Sequence, residues 1–226
     1  AGYRLCEALG LHCAQATIIG RDEADLPEEV EFPDILAIKR FDRLPDGRRR
    51  HMEEFTQVFN LPPSKKYGSD LQTDFARVLA VLDALSADPS RDAEEFIRRF
   101  VAFILLGNTD AHLKNWALVY PDGIKPILAP LYDPVCVTAF FDHVDPLEYG
   151  INRAIDAKLS AFDFESLRAL LRASGVARVA RLECVARKTI TQAQDVWPTL
   201  LQNAPDSVRL EVLRRLQGGV ALARRP

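Results

Sequence analysis

An aspartate, a histidine two residues later and an asparagine five residues later (Asp110, His112 and Asn115) fall in the segment Gly107-Asn-Thr-Asp-Ala-His-Leu-Lys-Asn-Trp116. A second carboxylate, Asp133, follows in Leu128-Ala-Pro-Leu-Tyr-Asp-Pro134. Two carboxylates and an amide on polar segments between apolar ones are hard oxygen donors, the ligand class of Mg²⁺ shared with phosphate. Taken singly, each residue has a plainer reading: the aspartates as caps or turn formers, the histidine as a structural hydrogen-bonder, the asparagine as turn chemistry. Their combination and order point to a site.

Those residues must be held by the elements on either side. Ala93 to Leu106 carries Phe96, Phe100 and Ile104 on one line with Ile97, Val101 and Leu105 beside it, a stripe wide enough for a helix through the centre of a helical body. Asp88-Pro-Ser-Arg-Asp92 reads as a break before it. Downstream, Trp116–Tyr120 and Ile124–Leu131 flank Pro121-Asp-Gly123, which is hairpin chemistry. An antiparallel pair returns its far end to its start, so Asp133 is expected close to Asn115 in space. Earlier in the chain, residues 3–10 read as a helix stopped by Gly10. Cys13–Ile19 and Ile35–Phe41 read as strands able to pair antiparallel, joined by an acidic polar connection over 21–31. Leu44-Pro-Asp-Gly47 is a turn, Arg48–Asn60 a charge-rich helix, 61–67 a loop, and 70–86 an amphipathic helix through Leu71, Phe75, Val78, Leu79 and Leu82. From Phe162 onward helices are expected over 164–173, 179–197 and 207–216.

The 226 residues can build one substantial core or two small ones, and 48% apolar with 27% charged residues is ordinary for a globular chain. A formal net charge of −3, with acids and bases interspersed, gives no reason to expect direct nucleic-acid or membrane binding. No apolar run approaches the roughly 18 residues a membrane span needs. Cys6, Cys13, Cys136 and Cys184 are widely spaced and form no C-x-x-C pair, which suits reduced thiols in a cytoplasmic protein better than a zinc site or a disulfide framework.

Phosphoryl transfer from ATP needs metal-binding oxygens, a carboxylate to orient the acceptor hydroxyl and a cation for the phosphoryl oxygens. Protein-kinase catalytic loops place Asp and Asn five residues apart and add a second Asp further on. Asp110, Asn115 and Asp133 follow that order. His112 stands where many such loops carry a lysine, and Lys114 is a further cation. More specifically, Asn108-Thr-Asp-Ala-His-Leu-Lys-Asn115 with Leu128-Ala-Pro-Leu-Tyr-Asp133 resembles the active-site signature of HipA-type serine/threonine kinases, the toxins of toxin–antitoxin pairs. Ile38-Lys-Arg-Phe-Asp-Arg43 resembles that family's R-F-D-R segment. His51-Met-Glu-Glu-Phe-Thr-Gln57, with Pro62-Pro63 and Lys66-Tyr67, resembles its E-D-F-x-Q…P-P…K-Y stretch. The likeness covers residues 1 to about 155, and the helical remainder only in general character.

The resemblance implies an α+β, protein-kinase-like fold with a mostly helical large lobe and a few antiparallel strands. Residues 1–68 would be part of the N-terminal lobe with the hinge, and 69–226 the helical C-terminal lobe. It implies ATP and Mg²⁺ as cofactors, with Asp110 as catalytic base, His112 facing the phosphoryl group, and Asn115 and Asp133 on the metal. Lys39 and Phe41 would lie in the hinge that meets adenine. Leu36-Ala-Ile-Lys39 also resembles the V-A-I-K strand of protein kinases, whose lysine holds phosphates; Glu53 or Glu54 would then be its partner. The protein substrate by resemblance is an aminoacyl-tRNA synthetase, and the partner a small DNA-binding antitoxin. No Gly-rich phosphate loop occurs in residues 1–20, so the chain is expected to begin within the small lobe and, alone, to bind ATP weakly. Three other readings stand beside this one: a small-molecule kinase of aminoglycoside or choline type, a non-catalytic kinase-fold binding module, and a divalent-metal hydrolase on Asp110, His112 and Asp133.

Overall fold

A computed structural model describes residues 1–24, 33–68, 70–142 and 153–224. The first helix, α1 (Gly2–Ala8), is followed by Gly10 in the left-handed region, as a stop. β1 (Ala16–Gly20) and β2 (Asp34–Ile38) pair antiparallel with Ile18 opposite Leu36. The polar connection expected over 21–31 lies mostly outside the described residues.

The charge-rich helix expected over Arg48–Asn60 does not form. Met52–Glu54 is a strand, β3, and only one helical turn follows it, α2 (Phe55–Val58). β3 pairs antiparallel with β4 (Ala117–Val119), which pairs antiparallel with β5 (Ile127–Leu128). The partner of β3 is thus distant in sequence, and tertiary pairing overrides the local pattern. α2 is set by a capping box: the Glu54 N–H donates to Gln57 Oε1 at 2.8 Å, and the Glu54 side chain caps in return.

The helical body consists of α3 (Leu71–Leu85), α4 (Pro89–Leu106), α5 (Arg153–Ala161), α6 (Phe164–Ala173), α7 (Val179–Leu200) and α8 (Asp206–Arg214). α4 starts at Pro89 and not at Ala93. The residues read as a break are its start signals: Asp88 caps by accepting from the Arg91 N–H at 3.1 Å, and Pro89 takes a first-turn position that needs no N–H. α5 was not foreseen. α4 is the central helix, buried at every position from Phe96 to Leu106 except Arg98, and it packs against α1, α3 and α7.

Phe75, Phe96 and Phe103 surround Trp116 with ring centroids 5.0 to 5.5 Å away. Burying an indole of this size stabilises the fold by about 4–6 kcal/mol. Two buried ionic groups fasten α4 to what crosses it. Arg99 donates to Glu95 Oε1 at 2.8 Å, to the Ala129 carbonyl at 2.7 Å and to the His12 carbonyl at 3.2 Å. Asp92 accepts from the Ser86 hydroxyl at 2.6 Å and from the Leu128 N–H at 2.7 Å. Among the described residues no helix is long and apolar enough to cross a membrane. The four cysteines are free, with Cys6 and Cys136 buried.

Candidate active site

The segment from Gly107 to Trp116 is pinned at both ends. Gly107 closes α4 with φ 74°, and Trp116 anchors the far end in the aromatic core, its Nε1–H donating to the Ala111 carbonyl at 3.3 Å. Between them the His112 N–H donates to the Asp110 carbonyl at 2.7 Å and the Asn115 N–H to the His112 carbonyl at 2.8 Å. The segment is therefore closed into consecutive turns by its own backbone.

Two asparagines join it to the residues around Asp133. Asn108, 1% exposed, donates through Nδ2 to the Asp133 carbonyl at 3.1 Å and accepts from the Asp110 N–H at 3.2 Å. Asn115 donates through Nδ2 to the Asp110 carbonyl at 2.8 Å and to Asp133 Oδ2 at 3.1 Å. The β4–β5 hairpin thus returns Asp133 to Asn115, as its pattern required. Asp133 has a φ of 58°, and its N–H donates to the Tyr3 hydroxyl oxygen at 3.2 Å. Burial pushes its carboxyl above the ordinary carboxylate range; the charge of Asp110 adds to this and the Asn115 bond opposes it. The Tyr132 hydroxyl donates to the Lys114 carbonyl at 2.7 Å, and burial raises its phenol well above the usual range.

Asp110 is held from the opposite side. The Tyr67 hydroxyl donates to its Oδ1 at 2.6 Å, and Lys66 Nζ and His112 Nε2 each lie 3.7 Å from the same oxygen. The Tyr67 and His112 rings meet edge-on at 5.4 Å. The His112 side chain is only 8% exposed and its Nδ1 has no hydrogen-bond partner; burial holds the imidazole below its ordinary range, opposed in part by Asp110.

Lys39 and Phe41 line a separate cavity of about 280 Å³ with Ile38, Met52, Glu54 and Tyr132. Arg40 grips Asp42 with both Nε and Nη2, at 2.7 and 2.6 Å, and Arg43 pairs with the same carboxylate. The bonds from Arg40 foremost hold the Asp42 carboxyl below the usual range. Arg-Phe-Asp-Arg is thus a self-clamped turn, which sets the Phe41 ring 5.8 Å from that of Tyr132. The alternative pairing of Lys39 with Glu53 or Glu54 is not formed: Glu53 takes the Tyr120 hydroxyl and lies 3.8 Å from His51, while Glu54 caps α2. The arrangement therefore brings Asp110, His112, Asn115 and Asp133 together, while Lys39 and Phe41 line a neighbouring cavity whose wall includes Tyr132, the residue before Asp133.

Among the described residues no three His, Cys, Asp or Glu side chains gather into a metal cage. A hydrolase metal held by protein alone has no such site there. Mg²⁺ needs only one or two protein oxygens when phosphates supply the rest. With Nδ2 of Asn115 turned to Asp110 and Asp133, its Oδ1 is left to ligate beside the Asp133 carboxylate, and this donor set fits that ion. Sequence reasoning gave no role to Asn108, Lys66, Tyr67 or Tyr3. Asn108 and Lys66-Tyr67 lie in the stretches that carried the resemblance, which was the available signal; nothing local marked Tyr3.

Comparison with known proteins bears on the family and the fold. The Sinorhizobium fredii protein Y4dM, provisionally named a kinase, is 34% identical over 175 residues, covering 77% of this chain and 41% of its own length. The chain spans about two fifths of the length of the curated relatives it matches. Among solved structures, the toxin–antitoxin complex of HipA and HipB with operator DNA from Shewanella oneidensis MR-1 contains a chain that superposes with a TM-score of 0.66 at 23% identity, covering 96% of this chain and 53% of that one. The Helicobacter pylori proinflammatory kinase CtkA superposes with a TM-score of 0.54 at 18% identity, covering 94% and 79%. The fold is that of these kinase-like proteins. The model of the HipA-like C-terminal domain matches residues 1–197, and the chain belongs to that family.

Proposed function

We propose that this chain carries the catalytic centre of an ATP- and Mg²⁺-dependent kinase that phosphorylates a serine or threonine hydroxyl of a protein. The observation that carries the reading is the Asn115 amide, which ties the Asp110 backbone to the Asp133 carboxylate and so sets base and metal ligands in one frame. The adjoining cavity, lined by Lys39, Phe41, Met52 and Tyr132, suits an adenine ring stacked against the touching Phe41–Tyr132 pair and not between its rings. Residues 1–68 then supply the nucleotide-side lobe, apart from α1, which packs onto the helical body, and 69–226 the helical lobe.

Asp110 takes the proton of the acceptor hydroxyl as its oxygen attacks the γ-phosphorus and the bond to ADP breaks. Asn115 and Asp133 supply the oxygens that hold the metal. Mg²⁺ bound there supplies charge neutralisation for the phosphate oxygens. Asn108 keeps the two acidic residues in register from within the core. By likeness to the HipA–HipB complex, a HipB-like antitoxin is the proposed partner of the full-length protein. The proposed protein substrate, an aminoacyl-tRNA synthetase, rests on the resemblance of the sequence signature alone.

The test is transfer of γ-labelled phosphate from Mg-ATP by the full-length protein, with Asp110→Ala as the comparison. Label on protein that disappears in the variant is the expected result. Undiminished transfer by Asp110→Ala would sink the assignment, and label on small hydroxyl compounds alone would favour the small-molecule kinase.

A further inference from the structure

The catalytic loop, read as a kinase loop, lacks an obvious cation for the phosphoryl group. His112, at the position where a lysine is usual, is nearly buried and packed edge-on by Tyr67. Among the described residues Lys114 makes no ion pair with Asp110 or Asp133, and its carbonyl is engaged by Tyr132. A cation beside the base, among the described residues, comes from elsewhere: the Lys66 ammonium, 37% exposed, lies 3.7 Å from Asp110 Oδ1.

This is a built contact. The Lys66 carbonyl accepts from the Leu113 N–H at 3.0 Å, which fixes the two backbones together. Lys66 Nζ lies 4.9 Å from the centroid of the Tyr67 ring, and that ring's hydroxyl is bonded to Asp110. The next residue, Gly68, has a φ of 68°, and the Asp74 carboxylate fills the space a side chain there would need. Oδ1 of Asp110 thus accepts from Tyr67 and faces Lys66 and His112 at 3.7 Å each. Among the described residues no hydrogen bond reaches Oδ2, on a side chain that is 38% exposed.

We propose that the Lys66–Tyr67 segment completes the catalytic loop: the Lys66 ammonium stabilises the transferring phosphoryl group, and Tyr67 holds Asp110 so that Oδ2 receives the acceptor's proton. The inference rests on the kinase reading above. Lys66 is then a catalytic residue and Tyr67 a positioning residue. Both come from outside the loop, from the segment that leads into α3.

The test is steady-state phosphoryl transfer by the full-length protein carrying Lys66→Met, Lys66→Arg or Tyr67→Phe, with Asp110→Asn as the marker of the underlying reading. Lys66→Met should lower kcat about 100-fold, the size of losing one transition-state donor, with KM for Mg-ATP within about threefold. Lys66→Arg should recover most of that loss. Tyr67→Phe keeps the ring and should lower kcat about tenfold without changing KM for Mg-ATP, as expected for a misoriented base. Lys66→Met should add nothing to Asp110→Asn, because the two act as a unit. A Lys66→Met protein within about twofold of wild type overturns the role of Lys66. A Tyr67→Phe protein faster than wild type overturns that of Tyr67, since its hydroxyl would then compete with the acceptor. Equal transfer by wild type and Asp110→Asn would remove the kinase reading itself, and this proposal with it.

Discussion

Replacing Gly107 by alanine tests whether the loop is set where α4 ends. At a φ of 74° an L side chain carries backbone strain of roughly 1–2 kcal/mol. The new methyl would also be driven into Thr138 Oγ1, well inside contact distance, with Thr138 Cβ at 3.2 Å and Arg215 Nε at 3.3 Å behind it. Neither neighbour yields freely. The Thr138 N–H is bonded to the Gly107 carbonyl at 3.2 Å. Arg215 is fully buried and donates to the Ile104 carbonyl at 2.9 Å and to Asp156 Oδ1 at 2.9 Å. Overpacking of this kind costs about 1–3 kcal/mol. The sum, roughly 2–5 kcal/mol, is large against the roughly 5–15 kcal/mol that holds a typical domain. Urea unfolding of the 226-residue chain, followed by the fluorescence of the buried Trp116 and Trp197, measures it directly. In a Thr138→Ala background the same substitution should cost less, because the hydroxyl is gone, but the backbone strain should remain. A Gly107→Ala protein within about 0.5 kcal/mol of wild type would refute the reasoning. An equal cost in both backgrounds would show that the clash is not its source.

Arg99→Ala should destabilise the chain by roughly 2–4 kcal/mol, because it takes the buried donor from the Ala129 carbonyl and leaves the Glu95 carboxylate to the His12 N–H and the more exposed Arg98; chemical denaturation against wild type checks this. Glu183 is gripped by Arg168 and Arg187, and their hydrogen bonds, that of Arg168 foremost, hold its carboxyl down at about 2, below the ordinary carboxylate range. A depressed carboxylate stabilises above its unfolded pKa and loses that stabilisation as pH falls toward its folded one. Glu183→Gln should therefore cost about 1 kcal/mol near neutrality, after screening of the half-exposed arginines, with the difference shrinking as pH falls toward 2 and vanishing below it. Thermal unfolding of both proteins across that range would expose an error, namely a gap that does not close on acidification.

Local pattern carried a good part of this molecule. α6 runs over the residues its apolar spacing implied, and the stripe through Phe96 and Phe100 became the central buried helix. The approach of Asp133 to Asn115 followed from hairpin geometry alone, with no contact known beforehand. What stayed hidden was non-local. β3 exists because β4 is there to receive it, and Met52-Glu-Glu54 by itself carries no strand signal. Pro89 looked like an interruption because the same residue types stop and start helices, and the Asp88 cap decides which. Lys66 and Tyr67 reach Asp110 across more than forty residues of sequence, a distance over which spacing says nothing.

Asp133 combines a left-handed backbone, a desolvated carboxyl and a like charge at Asp110, each of which lowers the stability of the folded chain. Its N–H and its carbonyl are engaged by Tyr3 and Asn108, contacts that do not depend on the identity of its side chain. Selection for thermal robustness alone would thus drift toward an uncharged residue there, Gly or Asn, at ease with positive φ. Directed evolution that screens heat tolerance without activity would erode the site first at this position, while leaving the fold intact around it.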